Sequence, residues 1–325
     1  NIYICKDTLA GGIMFTLLKN GHLFAPDDMG IRNILICGDK IIQIKEKITL
    51  AGVEGIEIID CQDCIVCPGI IDQHVHIIGG GGEKGPVSRI PEIMFSEITK
   101  AGITTIVGVL GFDSITRGIC DLLAKARGLE AEGITTYIYT GSYGYPTATV
   151  TGQVSLDLVL LDKVLGAGEI ALADYRSYHL SLQELRKLAA EVNTGGLLGG
   201  KAGVLHLHIG DGKEGLETLF RLINESDFPI DMFVPTHINR NPRVFQQGID
   251  LLQIGGNIDL TAGEKVGYSI ADSVEILLQK DVNLEKVTIS SDGNGSCANG
   301  AKVNSIGQLW KDLKECILNR QLDFT

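Results

Sequence analysis

From residue 65 to residue 292 the chain alternates between two kinds of segment. Short β-branched runs at 65–76, 103–110, 134–141, 168–173, 202–209, 232–237, 257–262 and 287–292 are separated by amphipathic stretches of helical length, at 91–101, 119–132, 156–165, 182–192, 215–225, 243–252 and 270–278. Such alternation implies parallel strand pairing through right-handed helical crossovers, since a parallel neighbour can be reached only by a long connection. Eight units of this kind predict an α/β fold, a (β/α)8 TIM-type barrel, whose functional side chains gather at the C-terminal ends of the strands.

Residues 14–66 read differently. Short apolar runs at 15–18, 34–36, 40–44 and 55–60, with turns at Asn20-Gly21 and Gly38-Asp39, predict a small β-sandwich-like domain ahead of the barrel. Residues 1–13 precede Met14, show no clear pattern and are set apart as an extension, which leaves 67–325 for the barrel. The chain has no internal repeat or low-complexity segment.

The first barrel strand carries Asp72-Gln73-His74-Val75-His76. Residues two apart on a strand share a face, so His74 and His76 aim two imidazoles at one point, and imidazole is a good ligand for zinc and similar ions. An isolated pair reads equally well as two structural histidines. Further donors at or just after later strands tip the balance: Glu169 on the fourth, His208 on the fifth, His237 on the sixth and Asp292 on the eighth. One metal site needs three or four ligands, so six N/O donors around one mouth could hold two divalent ions. His206 shares a face with His208 and reads as a buried, hydrogen-bonded core histidine rather than a supporting group; His22 and His179 read as ordinary polar residues. Cys61, Cys64 and Cys67 are spaced C-x-x-C-x-x-C, but no fourth thiolate is evident and small core residues are the better reading.

A net charge of -12 and a pI near 5.0 argue against a nucleic-acid surface. No apolar stretch is long enough to span a bilayer, and no secretory signal is evident. Eight cysteines in 325 residues do not suggest a disulfide scaffold, so the expected setting is a reducing cytoplasm.

The small β domain, followed by a barrel that opens with Pro-Gly-Ile-Ile-Asp-Gln-His-Val-His, resembles the amidohydrolase superfamily. Longer stretches resemble its isoaspartyl (β-aspartyl) dipeptidases: 72–86 (DQHVHIIGGGGEKGP), 140–146 (TGSYGYP), 174–177 (DYRS), 195–200 (GGLLGG), 235–241 (PTHINRN) and 290–296 (SSDGNGS). The resemblance covers about residue 14 to the end and implies a binuclear zinc peptidase that cleaves the β-linked bond of isoaspartyl dipeptides. His74 and His76 match the ligands of one metal, and His208 and His237 those of the other. Asp292 matches a ligand of the first metal that is also the proton shuttle. Tyr143 matches the residue that polarises the scissile carbonyl. Glu83, after the Gly79–Gly82 run, matches the group that receives the substrate's α-amino group; Gly81 and Gly82 belong to the same substrate loop. Arg176 and Arg240 match carboxylate-binding arginines, and Ser296 assists binding. The resemblance also implies a homo-oligomer, with an octamer among the options.

The chain departs from that pattern at three points. Glu169 stands where the best-known members bridge their metals with a carboxylated lysine, and one residue is inserted just upstream. Phe112 stands where a threonine is expected near the substrate. The family continues beyond the position of Thr325, so the expected barrel is incomplete at its C-terminus.

The residues themselves support such chemistry. Zinc-bound water titrates near ~7, Asp292 could move its proton, and Tyr143 could stabilise an oxyanion. An isoaspartyl dipeptide carries one ammonium and two carboxylates, which Glu83, Arg176 and Arg240 complement. The competing readings are a cyclic-amide hydrolase of the dihydroorotase or hydantoinase kind, against which the Gly-Gly-Gly-Gly-Glu run and Arg240 argue, and a truncated, non-catalytic barrel.

Overall fold

The computed structural model describes residues 15–50, 52, 55–296 and 303–319; the expected extension at 1–13 lies outside them. The chain divides into two compact units at the Gly69–Ile70 boundary.

The first unit contains β1 (Phe15–Phe24), β2 (Asp28–Cys37), β3 (Lys40–Lys45), β4 (Ile56–Asp60) and β5 (Ile65–Val66). Among the described residues these form one five-stranded sheet in the order β3-β2-β1-β4, with β5 also on β1. The β1–β2 and β2–β3 pairs are antiparallel, and β4 and β5 run parallel to β1. The chain turns at Gly38-Asp39 as expected, but Asn20-Gly21 is not a turn. Pairing moves from Leu18↔Ile34 to Gly21↔Arg32, so the ladder continues through a bulge, and Asn20 takes φ 61°. Asn-Gly tolerates positive φ, which a bulge can use as readily as a hairpin turn. A side chain at Gly21 would have no room: a Cβ would lie 2.5 Å from Val66 Cγ2.

The second unit runs β6 (Ile70–Val75), α1 (Phe95–Lys100), β7 (Ile103–Gly108), α2 (Ile119–Glu132), β8 (Thr135–Thr140), α3 (Val154–Leu160), β9 (Val164–Leu172), α4 (Leu182–Gly199), β10 (Val204–Ile209), α5 (Glu217–Asn224), β11 (Phe233–Thr236), α6 (Pro242–Gln253), β12 (Ile258–Thr261), α7 (Ile270–Leu278), β13 (Val287–Ser290) and α8 (Gly307–Asn319). Strands β6 to β11 pair in sequence order, and β12 pairs with β13; every pairing is parallel. Thr236 on β11 donates to Asp259 on β12 at 2.6 Å, and the His76 N–H donates to Gly293 O at 2.9 Å just beyond β13. The eight strands form the expected TIM-type (β/α)8 arrangement.

Several boundaries differ from the sequence expectation. The run at 65–76 is two strands, because Pro68-Gly69 interrupts it: Ile65–Val66 pairs with β1, whereas Ile70–Val75 enters the barrel. The first helix begins only at Phe95, since the Ile93 N–H already bonds Ile77 O at 3.2 Å. The third helix ends at Leu160, since Val164 is already paired with Ile138 on β8. Helix α4 runs on to Gly199 through Gly195-Gly196. A Cβ at Gly195 would lie 2.8 Å from Ser155 Cα on α3, so the missing side chain permits the close helix crossing.

On β10 the burial shows how the site is oriented. Leu205, Leu207 and Ile209 join the apolar cluster that also holds Leu185, Leu188 and Val192 of α4. Each such side chain contributes roughly 1.5–3 kcal/mol by burial. The period of two leaves His206 and His208 on the opposite face, toward the interior of the strand layer.

Candidate metal centre

Six side chains from five strands or strand ends converge, all of them at most 6% exposed: His74, His76, Glu169, His208, His237 and Asp292. Their central element is Glu169, whose two carboxylate oxygens face different histidines. Oε2 lies 3.5 Å from His74 Nε2 and 3.7 Å from His76 Nε2. Oε1 lies 2.6 Å from His208 Nδ1 and 3.2 Å from His237 Nε2. Asp292 Oδ1 closes the first side, 3.1 Å from His76 Nε2 and 3.5 Å from His74 Nε2. Donor atoms of His74, His76 and Asp292 lie within 4.8 Å of one another, as do those of His74, Glu169 and His237.

Local irregularities aim these groups. Between β9 and β10 the register moves from Ala167↔Leu205 to Ile170↔Leu207, so β9 carries one extra residue where Gly168 and Glu169 sit. A bulge of this kind re-aims a side chain. The glycines before it let the strands touch: a Cβ at Gly166 would lie 1.9 Å from Val204 O, and one at Gly168 would lie 2.7 Å from His206 Cβ. His237 and Asp292 follow their strands with φ 67° and 50°, a left-handed conformation that non-glycine residues rarely hold without support from their surroundings.

The electrostatics favour positive charge at His74 and a neutral imidazole at His237. Burial by itself would lower the His74 pKa, but the Glu169 and Asp292 carboxylates outweigh it and push the pKa up to about 9. Burial would raise Glu169, yet the His74 and His208 imidazoles hold it well below the usual carboxylate range. His237 is driven well below an ordinary imidazole by burial and by the Arg240 charge. His74 Nε2 and Glu169 Oε2 are buried with no hydrogen-bond partner. Unpartnered buried polar atoms cost ~1–3 kcal/mol each, a penalty that a coordinated ion would remove. Four imidazoles and two carboxylates are also the donor set of zinc and similar ions, so these residues fit divalent metal binding.

Supporting groups orient the donors. His74 Nδ1 lies 2.8 Å from His206 Nε2. Burial and the neighbouring His74 push the His206 pKa down to about 3, so His206 is a neutral partner of a ligand rather than only a core residue. Thr261 Oγ1 lies 2.7 Å from His237 Nδ1. Asp174 Oδ2 lies 2.9 Å from His208 Nε2, and the same carboxylate accepts from Arg176 Nε at 3.0 Å and Nη2 at 2.8 Å. Asp292 Oδ2 accepts from Arg240 Nη2 at 2.5 Å and Asn304 Nδ2 at 2.9 Å. Partners of this kind fix the orientation and basicity of metal ligands.

Above the donors lies a cavity lined in part by Gly81, Phe112, Tyr143, Arg176, Arg240 and Ser296. The Tyr143 hydroxyl lies 2.6 Å from His208 Nδ1 and 3.3 Å from Glu169 Oε1, and the Arg176 guanidinium stacks over its ring at 5.3 Å. Gly82 and Glu83 do not line this cavity. They lie in the adjoining loop, where Glu83 Oε2 is buried without a hydrogen-bond partner. That loop packs tightly: a Cβ at Gly81, where φ is 79°, would lie 2.1 Å from Ser88 O, and Arg117 donates to Gly80 O at 3.0 Å. The three cysteines form no metal group: Cys61 is buried and bonds Ile59 O, while Cys64 and Cys67 are exposed.

Sequence reasoning missed Asp174, Thr261, Asn304 and Arg117 and undervalued His206. Asp174 alone left a signal, as the first residue of Asp-Tyr-Arg-Ser.

No family model matches the chain. Among curated proteins, a dihydroorotase from Staphylococcus epidermidis is 40% identical over 159 residues, a match that spans 49% of this chain but only 35% of that enzyme. Among solved structures, a β-aspartyl dipeptidase from Fervidobacterium islandicum superposes with a TM-score of 0.90 at 40% identity, covering 96% of this chain and 83% of that one. The same enzyme in complex with a β-Asp-Leu dipeptide matches equally well. A likeness of that identity and extent, over a barrel whose mouth carries these six donors, shows that the chain belongs to the β-aspartyl dipeptidase family of the amidohydrolase superfamily.

Proposed function

We propose that the protein is a metal-dependent dipeptidase that cleaves the β-linked peptide bond of isoaspartyl dipeptides. The observation that carries this reading is the division of the Glu169 carboxylate between the His74–His76 and His208–His237 pairs, beneath a cavity bordered by two guanidinium groups. His74, His76 and Asp292 would hold one divalent ion and His208 and His237 a second, with Glu169 between them; zinc suits this donor set. When bound, such a pair supplies Lewis acidity that makes water a competent nucleophile near neutral pH.

The chain's own groups do the rest. Asp292 takes the proton from the attacking water and delivers it to the departing amine. The Tyr143 hydroxyl donates to the oxygen that gains charge at the scissile carbonyl. Arg176 and Arg240 hold the two carboxylates of the substrate. The unpartnered Glu83 oxygen receives the α-ammonium, and Gly81, Gly82 and Ser296 supply close polar contacts. We further propose a small domain at 14–66, a catalytic barrel at 67–325, and a homo-oligomer that works in the cytoplasm. No described helix is long and apolar enough to cross a membrane.

Metal-loaded protein assayed against β-Asp-Leu, α-Asp-Leu and dihydroorotate tests the reading. Turnover of β-Asp-Leu alone is expected. Turnover of dihydroorotate without cleavage of β-Asp-Leu would overturn it in favour of a cyclic-amide hydrolase.

A further inference from the structure

The loop between β12 and α7, residues 262–269, carries none of the groups assigned above, yet it is built against Arg240. The Asn239 side chain ties both of its ends. Asn239 Oδ1 accepts from the Thr261 N–H at 2.8 Å, and Nδ2 donates to Thr261 O at 3.0 Å and to Tyr268 O at 2.9 Å. The Tyr268 N–H donates to Asn239 O at 2.8 Å. Between these ends the two backbones touch: a Cβ at Gly267 would lie 1.9 Å from Asn239 O and 2.6 Å from the Arg240 carbonyl carbon. Backbone contact alone therefore holds this loop beside Arg240.

Glu264 makes the side-chain contact. Its Oε2 lies 3.3 Å from Arg240 Nε, and its side chain is only 13% exposed. Its other oxygen, Oε1, accepts from the Lys265 N–H at 2.8 Å and the Val266 N–H at 3.0 Å, so the carboxylate is fixed by its own loop. Asp292 Oδ2 takes a second corner of the guanidinium at Nη2, 2.5 Å away. A planar group held at Nε by one carboxylate and at Nη2 by another has its orientation set, and Nη1 stays outside both contacts. Arg240 itself lines the cavity over the donors. We infer that Glu264 is a positioning residue, which orients Arg240 in advance for a carboxylate of the dipeptide. The inference rests on the dipeptidase reading above and adds to it a residue that reading does not use. The Glu264 charge also repels an incoming carboxylate. Because that charge is already engaged with Arg240, loss of the arginine's orientation is the larger effect.

Two variants separate this role from mere support of the loop. Glu264→Gln keeps a carbonyl oxygen for the Lys265 and Val266 N–H groups but loses the charge that pairs with Arg240. Glu264→Ala loses both. Metal-loaded wild-type and variant proteins are compared on β-Asp-Leu, with metal content and melting temperature measured alongside. Both variants should raise KM by about tenfold or more, the scale of one lost contact to a charged group. The change in kcat should be smaller, because the lost interaction serves binding rather than the transition state alone. Only Glu264→Ala should also lower the melting temperature. A KM in Glu264→Gln equal to that of the wild type overturns the inference and leaves Glu264 as a support of the loop. A KM below that of the wild type overturns it too, since repulsion would then be the larger effect. So does a fall in kcat at unchanged KM, which would mean that Glu264 acts on proton transfer through Asp292. Failure of the wild-type enzyme to cleave β-Asp-Leu would overturn the dipeptidase reading and this inference with it, an outcome distinct from those in which the wild type is active and the variants decide.

Discussion

Gly168 is the position where the least chemistry has the largest structural effect. It precedes Glu169 in the bulge of β9, and a Cβ there would lie 2.7 Å from His206 Cβ and 2.9 Å from His206 O. Ordinary contact begins at 3.4 Å, so Gly168→Ala must part β9 from β10 by about 0.7 Å, the difference between 3.4 and 2.7 Å. Neither neighbour is the free end of a flexible side chain, so the strain falls on the strands. Overpacking of this sort costs ~1–3 kcal/mol. For a domain of this size each kcal/mol moves the melting temperature by about 2–4 °C, so a fall of about 2–12 °C is expected. The displacement also reaches the site, because Glu169 and the partner of His74 lie on the two strands being separated. Misplacing catalytic groups by ~1 Å can cost ~10²-fold in rate. Gly168→Ala should therefore lose heat stability, metal and most of its kcat together. Gly128→Ala is the matched control. It lies within α2 with no atom inside 4 Å of the added Cβ, and the change should be neutral or stabilising by ~0.5–1 kcal/mol. Differential scanning calorimetry, elemental analysis and steady-state rates on β-Asp-Leu read the three quantities. A Gly168→Ala protein that matches the wild type in all of them would refute the argument that close strand contact positions Glu169.

Further outcomes follow from the same geometry. Elemental analysis of zinc-supplemented protein should find two divalent ions per chain; a value well below one would remove the binuclear reading. Tyr143→Phe keeps the buried ring and deletes only the hydroxyl, so kcat should fall roughly 10²–10³-fold with a smaller change in KM; an unchanged kcat would make Tyr143 a packing residue. Glu169 already carries its carboxylate, whereas a lysine in a bridging role must first capture carbon dioxide. Apo-protein reconstituted with zinc should therefore regain activity equally with and without bicarbonate, and recovery that depends on bicarbonate would show that Glu169 does not bridge.

Much of this protein was legible in its sequence because the relevant signals are local and periodic. Eight β-branched runs alternating with helical stretches specify parallel strands, and His74-Val75-His76 places two imidazoles on one face through the period of a strand alone. The same periodicity put Glu169, His208, His237 and Asp292 at or beside strand ends, where a barrel gathers side chains. Other features depend on what the folded chain brings together. Asn20-Gly21 has the composition of a turn, and only the ladder between β1 and β2 makes it a bulge. Ile65–Val66 is continuous in pattern with the next strand, yet pairs in the other sheet. The partners of the donors are separated from them in sequence by distances that no local pattern encodes: His206 is 132 residues from His74, Asp174 is 34 from His208, and Thr261 is 24 from His237. A hydrogen bond between two polar side chains leaves no periodic trace, since either residue would look unremarkable on a solvated loop. The sequence by itself determined which elements form and which ligand-type residues point inward. The tertiary structure alone decided how one carboxylate, carried on an extra residue in β9, is shared between two pairs of histidines, because that depends on strands meeting at distances of a few ångströms.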